Sequence, residues 1–162
     1  MARSEPDVAD DAGAAAGVDT SRLTHLAGYA ASRASIQLKK TFQKHLGPLQ
    51  LKAVEFSVLV LVASNSHLNQ KQLGAALDLS APNLAVILDR LAERGLVERV
   101  RSTIDRRAQQ LHLTPAGRAL TERAEAIATT MENDALRVLS AGERTLLIEL
   151  LLKVARGRPP RR

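Results

Sequence analysis

Asn83, Val86 and Arg90 recur at intervals of three and four, and a few residues later Arg99, Arg101, Arg106 and Arg107 crowd together with a single acid, Asp105. At about 100° per residue the first three share the side of a helix opposite Leu84. None is a nucleophile or a general base; their chemistry is recognition. An Asn and an Arg two helical turns apart can bond base edges or phosphates, and a Val between them fits a thymine methyl. Guanidinium groups are weakly hydrated for cations and suit narrow, electronegative minor grooves. Each group alone also reads as ordinary solvated surface. Catalytic constellations are missing: His25, His45, His67 and His112 are scattered without ligand or triad spacing, no glycine-rich phosphate loop occurs, and there is no cysteine. No catalytic residue, metal site or cofactor is expected.

The elements that must position these residues follow from local pattern. Asn69 caps a short helix with Leu73, Ala76 and Leu77 on one face, and Asp78 suits the turn that ends it. A second helix starts immediately, with Ser80 as N-cap, Pro82 in the first turn and Leu84, Ile87, Leu88 and Leu91 as its apolar stripe. Gly95 closes that helix in a left-handed conformation. Leu96 to Val100 and Gln109 to Leu113 then alternate as two strands, so Arg101 to Ala108 is a basic hairpin loop. Two short helices, a tight turn and a charged hairpin make a winged helix-turn-helix, whose second helix enters the major groove.

The helix ending Asp89-Arg90-Leu91-Ala92-Glu93-Arg94-Gly95-Leu96-Val97, the wing tip Asp105-Arg106-Arg107-Ala108 and the segment Leu113-Thr114-Pro115-Ala116-Gly117 together resemble the MarR family of bacterial transcriptional regulators. The likeness is strongest over residues 50 to 120 and extends by helix order from about 20 to 156. It implies that Arg107 or Arg106 enters the minor groove, with Asp105 orienting the guanidinium. It also implies that the first and last two helices interlock into a two-fold dimer, an intramolecular bundle being the alternative. The candidate DNA contacts are therefore Ser80, Asn83, Val86, Arg90, Arg101, Asp105, Arg106 and Arg107.

Composition is consistent with a polyanionic partner. The 162 residues carry a formal charge of +6, and the first eighteen contribute −3 (Arg3 against Glu5, Asp7, Asp10 and Asp11), leaving +9 elsewhere. No run approaches about 18 apolar residues, and the N-terminus lacks a basic-then-apolar signal pattern, so the expected location is the cytoplasm. The expected organisation is a disordered tail over 1–18, an N-terminal dimerisation helix over 19–48, a DNA-binding lobe over 49–114, C-terminal dimerisation helices over 115–156 and a basic tail over 157–162. The N-terminal helix carries Leu23, Leu26, Ala30, Ala34, Leu38 and Phe42 and stops at Gly47-Pro48. Leu51 to Ala63 is ambiguous: its Val-rich run suits a buried strand, while its length and the family order favour a central helix. Thr114 caps a helix carrying Leu120, Ala124, Ile127, Ala128 and Met131. Ser140 and Glu143 have capping-box spacing ahead of Leu146, Leu147, Leu150, Leu151 and Val154. The fold class is mainly α with a small β-hairpin wing and long terminal dimerisation helices.

By the family resemblance, small anionic or aromatic effectors bind between the dimerisation helices and the DNA-binding lobe. Tyr29, Ser32 and Arg33, with Phe56 from the next helix, are the candidate lining, Arg33 pairing an anion and Tyr29 giving an aromatic wall. Core packing of Tyr29 and Phe56 with Arg33 on the surface is the competing reading. The expected function is that of a homodimeric repressor released from a palindromic operator by an aromatic or organic carboxylate or its thioester. A ligand-free architectural DNA-binding protein is the alternative, and a zinc-responsive regulator is disfavoured by the absence of Cys.

Overall fold

In the computed structural model, which describes residues 18–101 and 109–157, the apolar run from Thr20 to Leu46 forms two helices rather than one. Helix α1 spans Ser21–Thr24 and α2 spans Ala27–Leu46. At the break Leu26 N–H bonds Leu23 O three residues back at 2.9 Å, and the Thr24 hydroxyl donates to the Ser21 carbonyl at 3.1 Å. Of the tails expected over 1–18 and 157–162, residues 1–17 and 158–162 lie outside the described residues.

The chain divides into two units, Met1–Ser35 and Ile36–Arg162. The first holds α1 and the start of α2; every residue from Val18 to Ser35 is exposed except the half-buried Thr20, Tyr29 and Ser35. The second contains the core. There α2 ends in a 3-10 turn, Gly47–Leu49, and Gln50 takes a left-handed conformation (φ 54°). Helix α3 follows at Ala53–Ser64, the helical outcome for the ambiguous segment. Its apolar residues occupy every face, and it packs against the helices at Gln70–Leu77 and Pro115–Ala135 and the strand at Gln109–Leu113. A helix apolar on every face has no polar face to betray its period.

Helix α4 (Gln70–Leu77) begins with a reciprocal cap, Gln72 N–H to Asn69 Oδ1 at 2.9 Å and Asn69 N–H to Gln72 Oε1 at 3.0 Å. Asp78 turns left-handed (φ 52°), letting Leu79 N–H reach Gly74 O at 2.9 Å, and α5 (Ala81–Glu93) starts three residues later. Gly95 (φ 65°) then redirects the chain into β1 (Val97–Arg101), which pairs antiparallel with β2 (Gln109–Leu113), Val97 opposite Leu113 and Arg101 opposite Gln109. On its other side β2 meets the segment before α4, through Leu111 N–H to Leu68 O at 2.9 Å. Helices α6 (Pro115–Ala135) and α7 (Ala141–Arg156) complete the chain.

Leu46, Leu51, Val58, Leu59, Leu73, Leu84, Leu88 and Leu91 are almost wholly buried, and Val97, Leu111, Leu113, Ala124 and Met131 extend this core under the hairpin and α6. Each fully buried Leu contributes about 2 kcal/mol of transfer free energy. Helix α7 contrasts with this: it has no buried residue, and Leu146, Ile148, Leu150, Leu151, Leu152 and Val154 all stand exposed around more than half its circumference. Among the described residues no single helix is long and apolar enough to cross a membrane.

Candidate nucleic-acid interface

The outward face of α5 is defined by what its inward face buries. Leu84, Leu88 and Leu91 are sealed in the core, so the apolar packing of the helix lies on one side. Opposite them Pro82, Asn83, Val86, Asp89 and Glu93 are exposed, Val86 retaining 59% of its accessible surface. Ser80 sits at the N-cap in extended backbone, and its hydroxyl makes no capping bond. Asn83 and Val86 thus stand together at the N-terminal end of a projecting helix, where a major-groove reader presents its side chains.

Arg90 lies on the flank of the same helix. Its Nη1 donates to Oε1 of Glu55 at 3.0 Å, and Glu55 is 1% exposed. The second carboxylate oxygen of Glu55 accepts Lys52 N–H at 2.9 Å, closing the first turn of α3, and lies 3.9 Å from Arg94 Nη1. Arg94 in turn donates to Gln50 O at 2.8 Å and Leu49 O at 3.2 Å. One buried acid therefore ties α5 to the start of α3 and to the left-handed turn before it. Part of the Arg90 guanidinium is committed to this contact, a structural duty beside any contact with DNA. Sequence reasoning passed over Glu55 and Arg94. The available signal was Glu55 itself, which with Lys52 supplies the only charges between Leu51 and Ala63.

The hairpin is anchored at its base by Thr114. Its Oγ1 donates to Gly95 O at 2.6 Å and accepts Gly117 N–H at 3.0 Å, while its own N–H bonds Leu96 O at 3.1 Å. A Cβ on Gly117 would collide with the Leu96 carbonyl oxygen, so the first turn of α6 rests directly on backbone at the mouth of the hairpin. The Leu-Thr-x-x-Gly spacing has this physical meaning: a hydroxyl to clasp both ends and a missing side chain to allow the approach. Arg99 of β1 donates through Nη2 to Oδ1 of Asp89 on α5 at 2.7 Å, a second link between wing and helix. Arg101 ends β1; the tip residues Asp105, Arg106 and Arg107 lie outside the described residues.

Of the candidate effector residues, Tyr29 is half-buried and Ser32 and Arg33 are exposed, all on α2 in the first unit. Phe56 belongs to the second unit, half-buried on α3, its ring centroid 6.0 Å from that of Phe42 at a tilt of 55°. Among the described residues no three His, Asp or Glu side chains are grouped to hold a metal ion.

Comparison with known proteins agrees with this geometry. The model of the MarR family matches residues 51–108. A Thauera aromatica protein assigned as a transcriptional regulatory protein for the hcr operon is 34% identical over 101 residues, covering 62% of this chain; the matched stretch spans 61% of that relative's length. The transcriptional repressor CouR, solved on a 23-mer DNA duplex, superposes with a TM-score of 0.80 at 36% identity, covering 85% of this chain and 98% of its own. The same repressor bound to p-coumaroyl-CoA gives 0.78 at 34% identity, covering 86% and 98%.

Proposed function

Because the chain belongs to the MarR family of transcriptional regulators, we propose that it is a homodimeric repressor that binds a palindromic operator and leaves it when a small organic anion binds. The observation that carries this reading is the projection of Asn83 and Val86 from the N-terminal half of α5, held against a core-packed helix-turn-helix and flanked by a hairpin. Two copies of α5 in successive major grooves require half-sites one helical turn apart, about 34 Å. The exposed apolar surface of α7 supports the dimer: a helix apolar around most of its girth is normally covered on several sides.

The effector is an aromatic or other organic carboxylate or its thioester, with Arg33 as the candidate partner of its anion and Tyr29 and Ser32 beside it on α2. The low aromatic content, 2% of the chain, leaves aliphatic side chains to form most of its walls. Support comes from the similarity to CouR, which was solved with p-coumaroyl-CoA. Such a ligand releases DNA only through tighter binding to the DNA-free state, and tenfold release needs about 1.4 kcal/mol of differential affinity.

The test selects bound duplexes from a random pool, footprints the enriched sequence and titrates it with p-coumaroyl-CoA and p-coumarate. A palindromic footprint weakened by either compound, with Arg33→Ala abolishing the response, supports the proposal. An operator complex indifferent to organic acids and thioesters assigns the chain instead to constitutive, architectural DNA binding.

A further inference from the structure

The outward line of α5 is divided by charge. Pro82 and Val86 occupy its N-terminal half and Asp89 and Glu93 its C-terminal half, all four exposed. A helix inserted along its whole length in the major groove would bring both acids toward phosphate rows that repel them. Asp89 is moreover paired: its Oδ1 accepts from Arg99 Nη2 at 2.7 Å, with side-chain exposures of 56% and 36%. Arg99, a wing-base cation accessible to solvent, is thereby neutralised by the recognition helix.

Resting on the reading of this chain as a sequence-specific DNA-binding protein, we infer that Asp89 is a specificity determinant acting by exclusion: it keeps the C-terminal half of α5 and the Arg99 guanidinium off the DNA backbone. Contact is confined to the first turns, where Asn83 and Val86 project. Phosphate contacts contribute to every sequence alike, whereas contacts at Asn83 and Val86 contribute only when the bases match. An acid that cancels a nearby arginine therefore lowers affinity for arbitrary DNA more than affinity for the cognate site, a discrimination built from a repulsive element.

The experiment compares the parent, Asp89→Asn and Asp89→Asn/Arg99→Ala on two duplexes, the one enriched from a random pool and a scrambled sequence of equal length, across a salt series. For Asp89→Asn, affinity for the scrambled duplex should rise on the order of tenfold and the ratio of enriched to scrambled affinity should fall, since the released arginine gains a phosphate. The slope of log affinity against log salt should steepen by about one. Removing Arg99 in the same chain should restore the parental slope. Melting temperature serves as the folding control, and a solvent-exposed pair should leave it nearly unchanged.

Loss of affinity for the enriched duplex alone, with scrambled-duplex binding and slope unchanged, would make Asp89 a base reader and overturn the inference. So would unchanged binding throughout. A parent that fails to prefer any duplex from the pool refutes the underlying reading, and that result is visible before any variant is made.

Discussion

Glu55 and Arg90 stand 35 residues apart in sequence and 3.0 Å apart in space, with the acid sealed in the core and the arginine partly open to solvent. The asymmetry decides which partner is costlier to remove. Taking away Arg90 leaves a carboxylate that is 1% exposed, with only the Lys52 N–H and the more distant Arg94 to compensate it. We expect Arg90→Ala to cost about 3 kcal/mol, the lower end for breaking a buried pair. Glu55→Gln, which keeps volume and an acceptor, should cost about 1–2 kcal/mol. Urea unfolding of both single variants and the double variant gives the coupling; strictly additive losses would show that the pair does not act as a unit.

Gly117 admits no side chain without displacing the Leu96 carbonyl. Gly117→Ala should therefore lower stability by about 1–3 kcal/mol despite the better helix propensity of alanine, because steric overlap outweighs the roughly 1 kcal/mol gain. Gly142→Ala makes the control: it lies in the first turn of α7, where an added Cβ meets nothing within 4 Å. Thermal denaturation that ranks Gly117→Ala above the parent would contradict this account.

The cap of α7 predicts an acid dependence. Glu143 Oε2 accepts the Ser140 hydroxyl at 2.7 Å and the Ser140 N–H at 2.8 Å, and these bonds, the hydroxyl first, hold the carboxyl below its ordinary value of 4.5. A lowered folded-state value means that the contribution is complete above 4.5 and disappears as pH falls through the lower folded value. Ellipticity at acid pH should thus report fraying at the start of α7. Ser140→Ala should weaken the helix already at neutral pH and flatten its acid response; an unaltered titration would exclude the cap as the cause.

Leu150 and Leu151 on α7 are 48% and 46% exposed. If a second copy covers them, the unfolding midpoint should rise with protein concentration, and Leu151→Lys should abolish that dependence while shifting the sedimentation coefficient toward the monomer. A parent that sediments as a folded monomer at micromolar concentration would assign those leucines another role.

What could be foreseen from sequence followed the range of the interactions. Caps and turns act over three or four residues, so Asn69 with Gln72, Ser140 with Glu143, Gly95 and the β2 strand from Gln109 to Leu113 are legible in the chain itself. Helix α3 is ambiguous because apolar residues occupy all of its faces and leave no polar stripe to mark a period, and the break at His25 is hidden because apolar spacing continues across it. The Glu55, Arg90 and Arg94 network and the Asp89–Arg99 pair join distant segments. Their partners become neighbours only after the chain has folded, and no local spacing encodes them.

The naked approach of Gly117 to the Leu96 carbonyl leaves no layer of side chains between the start of α6 and the root of the hairpin. Side chains ordinarily act as a cushion, changing rotamer to take up small displacements; main chain against main chain cannot. With Thr114 bolting both sides of this joint, the root of the hairpin at Leu96 is seated directly on the start of α6. A tilt of that helix by a few degrees must carry the Leu96 backbone with it, since no side chain lies between them to yield.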